Sequence, residues 1–121
     1  MSGAIETWQG ALAEGWMTLQ RPVGGGRAIF PPREFAPADG GELEWFTASG
    51  KGTVYSVTWI YRRPPQAAYN VVLVDLEEGP RMMSMVEGVD ESSLAIGLPV
   101  EARIGGGEKE PRLYFVPQGG A

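Results

Sequence analysis

A chain of 121 residues, 43% of them hydrophobic, is the size of one domain with a core of its own. It contains neither Cys nor His, which excludes disulfides, thiol nucleophiles, imidazole bases and zinc sites built on sulfur or imidazole, and leaves only carboxylates, Lys, Tyr or Ser for catalysis. A net charge of −5 and a pI near 4.7 argue against general nucleic-acid binding, which draws most of its affinity from a basic face.

Along the chain, the N-terminal MSGAIETW lacks the basic start and apolar stretch of a signal peptide. No apolar run approaches the roughly 18 residues needed to cross a bilayer. A cytoplasmic protein without membrane contact is expected. Ile5, Trp8, Leu12, Trp16 and Leu19 then recur at helical spacing and predict a helix over residues 5 to 19. Gly10 and Gly15 each weaken it by roughly 1 kcal/mol relative to Ala. The stripe either packs the helix on its own domain or docks Trp8, Leu12 and Trp16 on a partner subunit. A short glycine-containing helix ahead of a Gly/Pro loop has little of its own chain to lie against, which favours docking. Residues 21 to 42, rich in Gly and Pro, read as a connector with one extended piece, Ala28 to Phe30, and no regular core.

From Leu43 the pattern becomes β. Leu43 to Phe46 is a short strand, and Thr53 to Tyr61 a long one dense in β-branched and aromatic residues. Pro64 and Pro65 stop it. Tyr69 to Leu76 and Arg81 to Glu87 are joined as a hairpin by Glu78-Gly79-Pro80. Leu94 to Gly97 reads as a single helical turn, followed by strands at Pro99 to Ile104 and Arg112 to Val116, with the glycine loop 105–107 between them. One long strand, a hairpin, a helical turn and two more strands is the order of a five-stranded Greek-key barrel, the OB-fold. The fold class is therefore mostly β: an OB-fold barrel over 45–117, preceded by an N-terminal helix in 1–20 and a connector in 21–44.

Several segments resemble the acyl-CoA-associated OB-fold family, catalogued as domain of unknown function thirty-five. They are Pro31-Pro32-Arg33-Glu34-Phe35, the run Ser49 to Ser56, the run Leu73 to Arg81, and Ile96-Gly97-Leu98-Pro99-Val100. The resemblance covers nearly all of the chain after residue 20, and Trp8 to Gln20 is similar to the helix that precedes a zinc ribbon in that family. Family members carry two Cys-x-x-Cys pairs there. Laid on this chain, the pairs fall on Pro22 and Gly25 and on Ala36 and Asp39, so all four ligands are missing. The segment reads as a degenerate ribbon that holds no metal.

The resemblance implies a non-catalytic companion of a thiolase-like enzyme that binds acyl-CoA, helps form the CoA thioester channel and needs no cofactor; without such a partner, self-association is the alternative. Arg side chains suit the phosphates of CoA and aromatic rings its adenine. The candidates are Arg62, Arg63 and Arg81 with Trp59, Tyr61 and Tyr69. Against these roles stand a solvated strand end for the Arg pair and barrel core or sheet surface for the aromatics. Glu77-Glu78 and Asp90-Glu91 fall on turns, where Asp90 can cap backbone N–H groups, and no catalytic pair is expected. The alternative function is a single-stranded nucleic-acid-binding OB-fold, for which the chain has the aromatics without the charge. A ligand carrier without an enzyme partner is a third.

Overall fold

The computed structural model describes residues 3–37, 40–106 and 111–119, and over these the chain forms one helix and seven strands. Helix α1 (Ala4–Ala13) begins where Glu34 Oε1 accepts the Ala4 N–H at 2.7 Å, a negative charge placed at the positive end of the helix dipole. It ends at Gly15, whose φ of 92° lets the chain reverse. The Gly15 N–H donates to Leu12 O at 2.9 Å and the Trp16 N–H to Ala11 O at 2.8 Å, the left-handed closure that glycine makes without a Cβ clash. The expected helix over 5 to 19 is thereby corrected. Gly15 terminates the helix, Trp16 lies beyond it, and Leu19 belongs to a strand.

That strand, β1 (Thr18–Pro22), pairs antiparallel with β2 (Leu43–Thr47), with Leu19 opposite Phe46 and Gln20 opposite Trp45. The connector is thus more ordered than its composition suggested. Ile29, in the extended piece expected at 28–30, forms a bridge with Gln20. At the positions where the family's ribbon carries cysteines, Gly25 N–H donates to Pro22 O at 3.0 Å and Gly40 N–H to Ala36 O at 2.8 Å. Asp39 lies outside the described residues. Pro22, Gly25 and Ala36 offer no metal-binding side chain, so the donor set does not fit zinc. Backbone hydrogen bonds close these turns instead.

The barrel strands are β3 (Lys51–Ile60), β4 (Tyr69–Leu76), β5 (Arg81–Ser84), β6 (Pro99–Gly105) and β7 (Arg112–Pro117). They lie in the order β5-β4-β3-β6-β7, all neighbours antiparallel. This is the OB-fold. The two edges of the sheet meet through one parallel bridge between Val86 and Phe115, with Glu87 N–H donating to Phe115 O at 2.8 Å and Phe115 N–H to Met85 O at 2.9 Å. The strand expected to run from Arg81 to Glu87 leaves its β4 partner at Ser84 because its last residues turn toward β7. Buried Asn70 holds that crossing: its Nδ2 donates to Val86 O at 2.9 Å and its Oδ1 accepts the Val86 N–H at 2.8 Å. At the expected helical turn, 94–97, a single tight turn closes with the Leu98 N–H donating to Ala95 O at 3.1 Å, and a helical turn lies just before it. The Leu94 N–H reaches back to Asp90 O at 3.0 Å, so the turn spans Asp90 to Leu94 and drops Leu94 into the core. Met17 and Leu19 share that core with Val54, Val72, Val74, Val100 and Phe115.

Candidate functional site

Strand β3 changes phase at a bulge. Val54 lies opposite Val74 and Ser56 opposite Leu73, which leaves Tyr55 as the extra residue. Before the bulge Val54 faces the core; after it Val57 and Trp59 do, while Ser56, Thr58 and Ile60 face outward. The strict alternation expected from sequence, with Val57 and Trp59 on the face opposite Val54, breaks here. Tyr55 is turned out to solvent, where the Arg81 guanidinium lies 3.4 Å from its ring centroid. Arg81 is also held by Asp75 Oδ1 at 2.6 Å, and this hydrogen bond raises its already high pKa.

The outward face of β3, β4 and β5 carries an apolar stretch, interrupted on β3 by Ser56 and Thr58 and bounded by Asp75 and Arg81. Ile60 stands opposite Tyr69, Thr58 opposite Val71, Ser56 opposite Leu73, and Leu73 opposite Met83, which is 70% exposed. The alternate β4 residues, Asn70, Val72, Val74 and Leu76, are buried. An antiparallel sheet with one face in water carries polar residues on that face. β4 departs from this: Tyr69, Val71 and Leu73 make its outward side mainly apolar, with Asp75 at the end, the pattern of a strand partly covered on both sides. Arg62 closes one end of this surface, with its guanidinium 4.9 Å from the Tyr69 ring and donating to Ala67 O at 2.9 and 2.6 Å. Arg81 closes the other.

The six residues grouped from sequence as a CoA site are not gathered in one place. Arg81 lies opposite Asp75, six residues along β4 from Tyr69 and so roughly 20 Å away at the usual strand rise. Trp59 lies opposite buried Asn70 and packs against the core, the sheet role weighed for it. Tyr61 donates its hydroxyl to Glu91 Oε2 at 2.8 Å, which raises its pKa, and Arg63 is exposed at the strand end.

The partner-binding group is divided as well. Trp8 Nε1 donates to Thr18 O at 3.1 Å and its ring lies 5.6 Å from that of Phe30. Leu12 is buried. Both therefore pack on their own chain, Trp8 against Phe30 of the expected extended piece and against Thr18, which the sequence placed in the helix. Trp16 alone is turned out, 54% exposed. The acids sit on turns, as expected. Glu78 Oε2 accepts the Ser49 N–H at 2.7 Å, and Asp90 Oδ1 accepts the Ser92 hydroxyl and the N–H groups of Ser92 and Ser93, which lowers its pKa. The fully buried polar residues among the described ones are Gln20 and Asn70, and both bond backbone groups, whereas the buried Thr18 Oγ1 and Glu78 Oε1 have no hydrogen-bond partner.

A pocket that sequence reasoning missed opens between the 27–37 segment and the turn joining β4 to β5. Its volume is about 370 Å³, and Arg27, Ile29, Phe30, Arg33, Gly79 and Pro80 are among its walls. The signal available was Arg33, inside the Pro31 to Phe35 motif; nothing in the spacing placed it beside the hairpin turn some 46 residues on.

The family model described as the ChsH2 C-terminal OB-fold domain matches residues 45–105. A DUF35 domain-containing scaffold protein of Pyrococcus furiosus is 37% identical over 92 residues, 67% of this chain and 66% of that protein. A 3-oxo-4,17-pregnadiene-20-carboxyl-CoA hydratase alpha subunit of Mycobacterium tuberculosis is 35% identical over 65 residues, half of this chain but only 20% of that one. A solved structure described as an Ltp2-ChsH2(DUF35) aldolase superposes with a TM-score of 0.85 at 25% identity, covering 97% of this chain and 96% of that chain. The barrel, its order of strands and the family match agree, and the chain belongs to the DUF35 family of ChsH2-type OB-fold domains.

Proposed function

We propose that this protein is a non-catalytic accessory subunit that docks on a thiolase-like acyl-CoA enzyme and helps form the channel for its CoA thioester. The observation that carries the reading is the apolar outward face of β3, β4 and β5, with Met83 and Leu73 at its centre and arginines at its ends. A contiguous apolar surface rimmed by polar groups marks an interface. The relatives support an enzyme as the occupant, since they are named as a scaffold protein, a CoA hydratase subunit and part of an aldolase. A non-catalytic role is supported by the absence of Cys and His from the sequence and by carboxylates that sit on turns and bond backbone N–H groups. In this reading Arg62 and Arg81 are rim residues of the docking face, and Trp8 and Leu12 hold the helix to its own barrel.

The test is co-expression with the thiolase-like enzymes of the same genome, followed by size-exclusion chromatography. A stable complex with one of them is expected, together with no turnover of acyl-CoA substrates by the purified chain alone. Turnover by that chain, abolished by one substitution within it, would refute the non-catalytic role. Failure of every such enzyme to co-elute would refute the docking role.

A further inference from the structure

We infer that Met83 is a modification site: its thioether is oxidised to the sulfoxide by hydrogen peroxide, and the oxidised residue closes the outward face of β3, β4 and β5 to the enzyme. The selectivity for Met83 stands on its own; the effect on docking rests on the reading above.

The chain has no Cys, so its softest side-chain nucleophiles are the thioethers of its five Met residues. Met1 lies outside the described residues. Met17 and Met82 belong to the core, 5% and 3% exposed, and Met85 is half-buried. Met83 is 70% exposed, directly beside buried Met82. The alternation of β5 thus turns one thioether into the core and the next into solvent, and among the described methionines Met83 is the exposed one. Its sulfur lone pair attacks one oxygen of the peroxide. An S–O bond forms, the O–O bond breaks and water leaves after proton transfer, so sulfur loses the two electrons that the peroxide gains.

Its position gives that oxidation a consequence. Met83 stands opposite Leu73 on β4, and Leu73 opposite Ser56 on β3, midway along the apolar stretch between Tyr69 and Asp75. A Leu at this position would offer apolar contact alone. A thioether offers the same contact, and oxidation turns it into a polar group with a strong hydrogen-bond acceptor. Buried against an apolar partner, the sulfoxide oxygen needs a donor. The outward donors on hand are engaged or distant. Arg81, two residues along β5, is held by Asp75 Oδ1 at 2.6 Å and stacked on Tyr55. The Ser56 hydroxyl lies two strands away, about 10 Å at the usual strand spacing. Oxidation therefore costs little in the free chain, where water solvates the sulfoxide, and much in the complex.

The test treats the purified full chain with dilute hydrogen peroxide and removes the oxidant before mixing, so that any thiols of the enzyme are spared. Peptide mass spectrometry, thermal melting and affinity for the co-eluting thiolase-like enzyme are then measured. The first oxygen is expected on Met83, ahead of Met17, Met82 and Met85, with an unchanged melting curve. Affinity is expected to fall at least tenfold. It should return with methionine sulfoxide reductase and a dithiol, which is oxidised to its disulfide as the oxygen leaves in water. Met83→Leu, whatever its own affinity, is expected to keep it through the same treatment. First oxidation at another Met, equal affinity of the treated and untreated chains, or an equal loss in Met83→Leu overturns the assignment. If the untreated chain binds no such enzyme, the docking reading fails and the switch with it. Unaltered binding after oxidation at Met83 overturns the switch alone.

Discussion

The carboxamide of Gln20 exchanges two hydrogen bonds with the backbone of Arg33: Nε2 donates to the carbonyl at 2.6 Å and Oε1 accepts the N–H at 2.8 Å. A side chain thereby does what a neighbouring strand would do, in the segment where the family it resembles uses a metal. Replacing Gln20 by Leu keeps much of the bulk but leaves both backbone groups of Arg33 without partners in a partly buried setting. The expected loss is about 2–3 kcal/mol of unfolding free energy, read by urea denaturation.

Trp8 and Trp16 should behave oppositely. Trp8 packs on Phe30 and bonds Thr18 O, so Trp8→Ala is expected to cost about 2–4 kcal/mol, seen as a drop of several degrees in melting temperature. Trp16 stands past the helix end in solvent, and Trp16→Ala should change stability by no more than about 0.5 kcal/mol. Equal losses for both would mean that the helix continues through Gly15.

Two glycine substitutions should also diverge. A Cβ on Gly52 would come within 2.6 Å of Val74 Cγ1 and 2.8 Å of Asp75 O, so Gly52→Ala should destabilise by about 1–3 kcal/mol as β3 and β4 are forced apart. Gly10 lies inside α1 with nothing within 4 Å of a built Cβ, and Gly10→Ala should stabilise by about 0.5–1 kcal/mol. Thermal melts of the two single variants decide both.

The barrel was legible because its strands carry strong local signals. The sequence placed Tyr69–Leu76 at its observed bounds and set the other four barrel strands in their order along the chain. The short, mixed run of β1 carried no such signal: Thr18 and Leu19 read as the tail of a helical stripe and Arg21 and Pro22 as the start of a connector, and only pairing with β2 makes the run a strand. The bulge at Tyr55 was equally hidden, since inserting one residue inverts the faces without altering composition. The candidate site was read least well. Arg62 and Arg81 flank β4 in sequence and sit at its opposite ends, whereas Arg27 and Arg33 line a pocket with the distant β4–β5 turn only through tertiary folding.

The turn at Asp90 should respond to acid. Its carboxyl is held below the ordinary aspartate value, foremost by the Ser92 hydroxyl and then by the backbone N–H of Ser93. A depressed folded pKa means that the contribution is fully present above the unfolded value and is lost as pH falls through the folded one. The amide resonances of Ser92 and Ser93 should therefore titrate together at a pH below the usual carboxylate range. In Asp90→Asn that transition should be absent; its persistence there would assign it to another acid.

The proposed docking face is the outward side of β3, β4 and β5, and Met83 is its most exposed apolar residue. The direct measurement is the affinity of the wild-type chain and of Met83→Glu for the co-eluting thiolase-like enzyme, alongside their melting curves. A charge placed there meets no packed neighbour in the free protein, so melting should stay within about 0.5 kcal/mol of wild type. Buried in an apolar interface the same charge lacks a partner, and affinity should fall at least tenfold. Equal affinity of the two proteins for the enzyme would contradict docking through this face.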